Sequence, residues 1–149
     1  MGAIRTSNSH SNSCTQCKGR EVNLVDRGMS IALAASLLSN APRTGLRLGA
    51  CLMAGSRLLS IGANKWSTHP ASDNNDVFCR SLHAEHCALV RRQHYDVLSR
   101  MTLYVARRRE DGSLGCSKPC ANCMALARLA GVRRIWFYNA MGKPEEVTL

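Results

Sequence analysis

Two short clusters combine residue types that bind a metal with one that moves protons: His83-Ala84-Glu85 and Pro119-Cys120-Ala121-Asn122-Cys123. One imidazole and two thiols are the donors that hold catalytic zinc, which keeps a fourth position for water. Cys120 and Cys123 are three residues apart and so face one side of a helical first turn. A helix N-terminus favours the thiolate that zinc needs, and Pro119 suits the start of such a helix because a missing N–H costs nothing there. His83 opens a neighbouring helix, with Glu85 near enough to reach a water on the metal without ligating it. Zinc brings the pKa of that water toward ~7, so the two clusters predict hydrolysis with Glu85 relaying protons. The competing reading is a closed structural site with Cys116, Cys87 or His86 as fourth ligand, which leaves Glu85 without a task.

The elements around these clusters follow from hydropathy and punctuation. Residues 1–24 are polar and read as a disordered tail, leaving 25–149 as a single domain. MSIALAASLLSN (29–40) is apolar almost all round and reads as a buried helix, which Pro42 cannot continue. LRLGACLMA (46–54) and RLLSIG (57–62) read as strands joined at Gly55-Ser56. A long irregular stretch runs from Ala63 to about Leu82, followed by a helix from Ala84 to Gln93 and a strand at 101–107. A polar loop then spans 108–117, around Asp111-Gly112. A helix from Cys120 to Ala130, stopped at Gly131, leads to a strand at 133–139, and 146–149 is a candidate fifth strand. Alternating strands and helices after a hairpin predict an α/β fold, a three-layer α/β/α domain with a mixed sheet. The strands at 101–107 and 133–139, joined by a helix, should be parallel and buried.

Composition narrows the class. The chain carries 20 Lys and Arg against 10 Asp and Glu. Residues 1–28 hold only Arg5, Lys18, Arg20 and Arg27 against Glu21 and Asp26, so most of the excess lies in the body. A basic body favours a phosphate-bearing partner, nucleotide or nucleic acid. No apolar run approaches the ~18 residues of a membrane span, and Met1 to Arg20 lacks the apolar segment of a secretory signal. Eight cysteines, four of them in two C-x-x-C pairs, then point to metal chemistry in a reducing, cytoplasmic setting rather than to a disulfide framework.

H-x-E followed by P-C-x-x-C, each opening a helix and separated by a strand, resembles the signature of the cytidine and deoxycytidylate deaminase superfamily, which includes tRNA adenosine and single-stranded DNA cytosine deaminases. The resemblance covers about residues 29–139. It implies a cytidine-deaminase-like sheet sandwiched by helices, Zn2+ on His83, Cys120 and Cys123, Glu85 as acid and base, and a homo-oligomer. It also matches Asn64 to an asparagine that bonds the substrate's sugar or base, Ala84 to the position whose N–H meets the base carbonyl, and Ser117 to the loop that shapes the pocket. Lys118 stands where relatives often have Ser or Glu, and a cation there suits a phosphate. The gap between Glu85 and Pro119 is longer than usual, and the chain ends sooner after its fourth strand. The expected reaction is hydrolytic deamination of a cytosine base in a small nucleoside or nucleotide, of dCMP or cytidine type. Two alternatives stand beside it: an editing deaminase on single-stranded DNA or tRNA, and a non-enzymatic zinc-stabilised nucleic-acid-binding module.

Other residues carry weaker signals. Cys14 and Cys17, with His10, resemble half of a second metal site. Cys51 suits a strand interior. His69 is a loop histidine, and His94 suits the surface. Trp66, Trp136 and Tyr138 are candidate base-stacking residues, and Arg91-Arg92 and Arg107-Arg108-Arg109 are candidate phosphate contacts.

Overall fold

The computed structural model describes residues 15–40, 46–66, 81–91 and 100–149. Helix α1 (Thr15–Ala35) ends in a short 3-10 turn, Ser36–Leu38, and strands β1 (Arg47–Ala54) and β2 (Arg57–Ala63) follow. Two two-residue strands, β3 (Lys65–Trp66) and β4 (Ser81–Leu82), precede helix α2 (Ala84–Val90) and strand β5 (Met101–Arg108). Then come β6 (Leu114–Gly115), helix α3 (Ala121–Leu129), β7 (Val132–Tyr138) and β8 (Pro144–Thr148).

The main sheet runs β2-β1-β5-β7-β8, with β6 paired to the end of β5. Only β5 and β7 are parallel. The β1–β2 hairpin turns at Gly55, whose φ of 58° is the left-handed conformation that glycine adopts without a Cβ penalty. Alternation along the strands sorts their side chains onto two faces. Cys51, Met53, Tyr104 and Ala106 meet Val25, Met29 and Ala32 of α1. Ala50, Leu52, Leu103, Val105, Ile135 and Phe137 meet Ala84, Ala88 and Leu89 of α2 and Ala127 of α3. The result is the expected three-layer α/β/α arrangement, with α1 on one face and α2 and α3 on the other.

That arrangement sets where a site can be. Strands β2 and β5 point the same way, because each is antiparallel to β1. α2 follows β2 and α3 follows β5, so both helices begin at the carboxyl ends of their strands, where open α/β sheets bind ligands.

Several expectations need correcting. α1 begins at Thr15, so residues 15–24 are helical rather than tail. Strand β7 is parallel to β5 as expected, but only Val132, Ile135 and Phe137 are buried along it. Its other face, with Trp136 and Tyr138, packs half-buried against the α1 cluster. The loop at 108–117 contains β6, which turns back onto β5 through Arg109–Ser113. The fifth strand exists and is longer than 146–149: β8 pairs antiparallel with β7 from Pro144 to Thr148, joined by a turn in which Asn139 Oδ1 accepts from the N–H groups of Met141 and Lys143. Among the described residues no helix is long and apolar enough to cross a membrane. His10, Cys14, Pro42, His69, Arg92 and His94 lie outside the described residues, so the readings placed on them stop there.

Candidate metal and catalytic site

Both motif clusters sit at helix N-termini that meet. His83 is the N-cap of α2, in extended backbone with ψ 150°. Cys120 is the N-cap of α3, with ψ 166°, and its Sγ accepts the N–H of Cys123 at 3.5 Å. A sulfur thus does the capping that Ser or Asp does elsewhere. Pro119 stands one residue before this cap, so it fixes the approach to the helix instead of occupying its first turn.

His83 Nδ1 lies 3.7 Å from Cys120 Sγ and 3.4 Å from Cys123 Sγ. A tetrahedral zinc with ordinary Zn–S and Zn–N bonds places such donors about 3.6 Å apart. The three ligand atoms all lie within 4.8 Å of one another, so donor chemistry and spacing both fit zinc. Among the described residues this is the only group of three or more metal-binding side chains; Cys116, Cys87 and His86 are not in it, which removes the closed four-ligand alternative as it was framed. Burial, Glu85 and Cys120 together push the Cys123 thiol up. A dication reverses that preference by supplying the charge that the clustered anions lack.

Glu85 is the second residue of α2 and only 3% exposed. Burial holds its carboxyl above the usual range, while its own backbone N–H and the neighbouring His83 pull the other way. Buried carboxylates are rare unless paired or functional. Ala84, fully buried, is the first residue of α2, so its N–H belongs to the set that an α-helix leaves without an intrahelical partner.

The supporting elements explain why the ligands converge. Gly62 of β2 lies directly beneath α2: a Cβ there would sit 2.2 Å from the carbonyl oxygen of Ala84 and 2.5 Å from the nitrogen of Ala88. Only glycine allows the helix this close. The segment leading to His83 is pinned by the β3–β4 pair, Lys65 opposite Leu82. Ser60 Oγ donates to the carbonyl of Ala88 at 2.6 Å, tying the far side of α2 to the sheet. Ser117, three residues before Cys120, donates its hydroxyl to the carbonyl of Val105 at 2.7 Å and accepts the N–H of Tyr138 at 2.9 Å. It thereby clamps the α3 approach between β5 and β7.

The remaining expected contacts divide. Ser117 is 1% exposed with its hydroxyl used in both directions, so it positions the segment that leads to Cys120. Asn64 Oδ1 accepts the N–H of Leu48 and its Nδ2 donates to the carbonyl of Leu46. Its amide therefore staples the end of β2 to the start of β1 and keeps one N–H and one lone pair for anything else. Lys118 is exposed beside Pro119. Trp136 and Tyr138 lie on the α1 face, away from the metal ligands, which removes them from base stacking at this site. Cys51 is a buried strand residue as expected, its Sγ donating to the carbonyl of Gly28. Sequence reasoning missed the close approach at Gly62, for which a glycine inside a strand was the available signal.

Comparisons with known proteins agree with this geometry. The family model for the cytidine and deoxycytidylate deaminase zinc-binding region matches residues 23–139. Among solved structures, a cytidine deaminase from Burkholderia pseudomallei superposes with a TM-score of 0.61 at 18% identity, over 83% of this chain and 91% of that one. The dCMP deaminase of cyanophage S-TIM5 in apo form gives 0.54 at 23% identity, over 76% and 80%. Its complex with dCMP and dUMP gives 0.52 at 22% identity, over 77% and 79%. At these identities the likeness is one of fold. No curated protein sequence matches. With the family's zinc-binding region spanning most of the chain and a His/Cys/Cys group that could hold zinc brought together at two helix N-termini, this protein belongs to the cytidine and deoxycytidylate deaminase family.

Proposed function

We propose that the chain is a zinc-dependent hydrolytic deaminase of a cytosine base carried by a small nucleoside or nucleotide. The observation that carries this is Glu85, a buried carboxylate two residues past His83 and outside the candidate ligand group itself. His83, Cys120 and Cys123 would hold the metal. When bound, it supplies the Lewis acidity that makes water nucleophilic near neutral pH.

The chain's own residues do the rest. Glu85 accepts a proton from the attacking water and passes protons to the ring nitrogen and then to the departing amine, so that water adds and ammonia leaves. A carboxyl whose burial favours its protonated form suits both directions of that relay. The N–H of Ala84, one of those an α-helix leaves without an intrahelical partner, would receive the base carbonyl, and the spare amide capacity of Asn64 suits a sugar hydroxyl. The substrate class draws support from the structural neighbours, described as cytidine and dCMP deaminases.

The test is ammonia release by zinc-loaded protein from cytidine, CMP, dCMP, single-stranded DNA and tRNA. Release from the free cytosine compounds is expected, whereas silence on all substrates at full zinc content would leave only a binding module. A second reading, deamination within a polymer, draws on one observation: Arg47 and Arg108 stand directly opposite each other on β1 and β5, on the α1 face behind the candidate site, a like-charge pairing that a polyanion wrapping the sheet end would relieve. Activity on polymers but not on free nucleotides would establish it.

A further inference from the structure

One arginine lies on the metal side of the sheet without an acceptor for its buried nitrogen. Along β5, Met101, Leu103 and Val105 pack into the cluster covered by α2 and α3, and the register with β1 is unbroken out to Arg47 opposite Arg108. Alternation therefore puts Arg107 on that same face. Ala84 overlies Gly62, which pairs with Ala50, which in turn pairs with Val105. Arg107 is one same-face step beyond this row, about 7 Å further along, toward the carboxyl end of β5 where α3 begins. Ser117 grips Val105 three residues before the ligand Cys120, so Arg107 and the metal donors hang from one anchor.

The side chain of Arg107 is held rather than loose. It lies across its strand partner Gly115, where an added Cβ would come within 3.0 Å of Cδ and 3.2 Å of Nε. Its Nε is shielded from solvent and meets no acceptor among the described residues. The neighbouring carboxylates do not answer it: Glu110 and Asp111 are on the exposed turn, and Asp111 is taken by the N–H and hydroxyl of Ser113. A half-buried guanidinium whose Nε meets no acceptor among the described residues, on the face of the sheet that α2 and α3 cover, is an anion-accepting group.

The geometry points to Arg107 as a specificity-determining residue that holds a phosphate of the substrate at the rim of the metal site. This rests on the deaminase reading and adds to it that the substrate is a phosphate ester and not a free nucleoside. Lys118, exposed on the adjoining segment, is a second cation within the same region.

The test compares zinc-loaded full chain with Arg107→Gln, Arg107→Lys and Gly115→Val, using Arg133→Gln at the opposite end of the sheet as control. Calorimetric binding of dCMP, deoxycytidine and a short cytosine-containing single-stranded oligonucleotide is measured beside ammonia release, with zinc content and melting temperature verifying each fold. Arg107→Gln should weaken dCMP or oligonucleotide binding roughly tenfold or more, the size of a lost charge-assisted contact, with deoxycytidine unchanged. Arg107→Lys should recover part of the loss, and Gly115→Val, which displaces the side chain but keeps its charge, should reproduce it. Which phosphate ligand responds separates mononucleotide from polymer. Equal binding of dCMP and deoxycytidine together with an unaffected oligonucleotide would overturn the assignment, as would an equal loss for nucleoside and nucleotide, or no binding of either phosphate ligand. Ammonia release reports on the deaminase reading separately: phosphate-selective binding without turnover would sink that reading and leave the Arg107 contact standing.

Discussion

The proposed mechanism divides the chemistry between Glu85 and three candidate metal donors, which can be removed one at a time. Glu85→Gln keeps the shape and loses the proton relay. It should retain stoichiometric zinc and lose turnover by about 10²-fold or more, measured as ammonia release beside metal content on the same sample. Normal turnover would remove Glu85 from the reaction. Cys120→Ala removes both a ligand and the cap of α3, so zinc occupancy should fall, with a loss of stability on top of the ordinary cap cost of about 1 kcal/mol. Full zinc occupancy in that variant would contradict the donor set. These residues were legible in the sequence because type and spacing alone define them. The roles of Asn64 and Ser117 were not, because a polar side chain gains its role from its neighbours: each amide or hydroxyl here is engaged with backbone brought from a distant strand.

At the scale of elements, the site depends on how closely α2 rests on β2. Gly62→Ala places a methyl group against the backbone of the first turn of α2, and that backbone cannot rotate away as a flexible side chain would. The helix must lift, with a destabilisation of about 1–3 kcal/mol and weaker zinc binding, both read by chemical denaturation and metal titration. An unchanged zinc affinity would show that α2 is not seated by this contact. Ser117→Ala should cost about 1–3 kcal/mol by leaving the Tyr138 N–H and Val105 carbonyl without their bridge, with urea denaturation as the measurement. The apolar parts of the helices and the long strands were readable from periodicity and from Gly55 and Gly131, but not the polar first half of α1, which begins at Thr15. Two-residue strands such as β3 and β4 are too short to show a period, and β6 sits in a polar stretch, so only pairing reveals them.

For the molecule as a whole, stability should depend on pH through a thiol remote from the metal. Burial pushes the Cys51 thiol from 9.0 up to about 12. Below its ordinary value the thiol is protonated whether folded or unfolded, and its contribution to stability is fully present. Between 9.0 and about 12 the unfolded chain ionises while the folded one does not, so stability falls as pH rises. The loss is roughly 2 kcal/mol by about pH 10.5. Cys51→Val should flatten that alkaline slope in denaturation curves taken at a series of pH values. An unaltered slope would assign the effect to another group.

The sequence by itself pointed out the His/Cys/Cys group that could hold zinc, the carboxylate beside it, the helices that carry them and the α/β class, because spacing within one helical turn and alternation within one strand are local properties. The resemblance built on those residues also led to the right family. Only the tertiary structure decided that α1 covers the opposite face, that β8 turns back on β7, that Ser117 is a clamp and that Arg107 shares the face covered by α2 and α3. Each of those depends on which segments pair across the sheet and in what register, and pairing between distant segments leaves no period in the chain to be read.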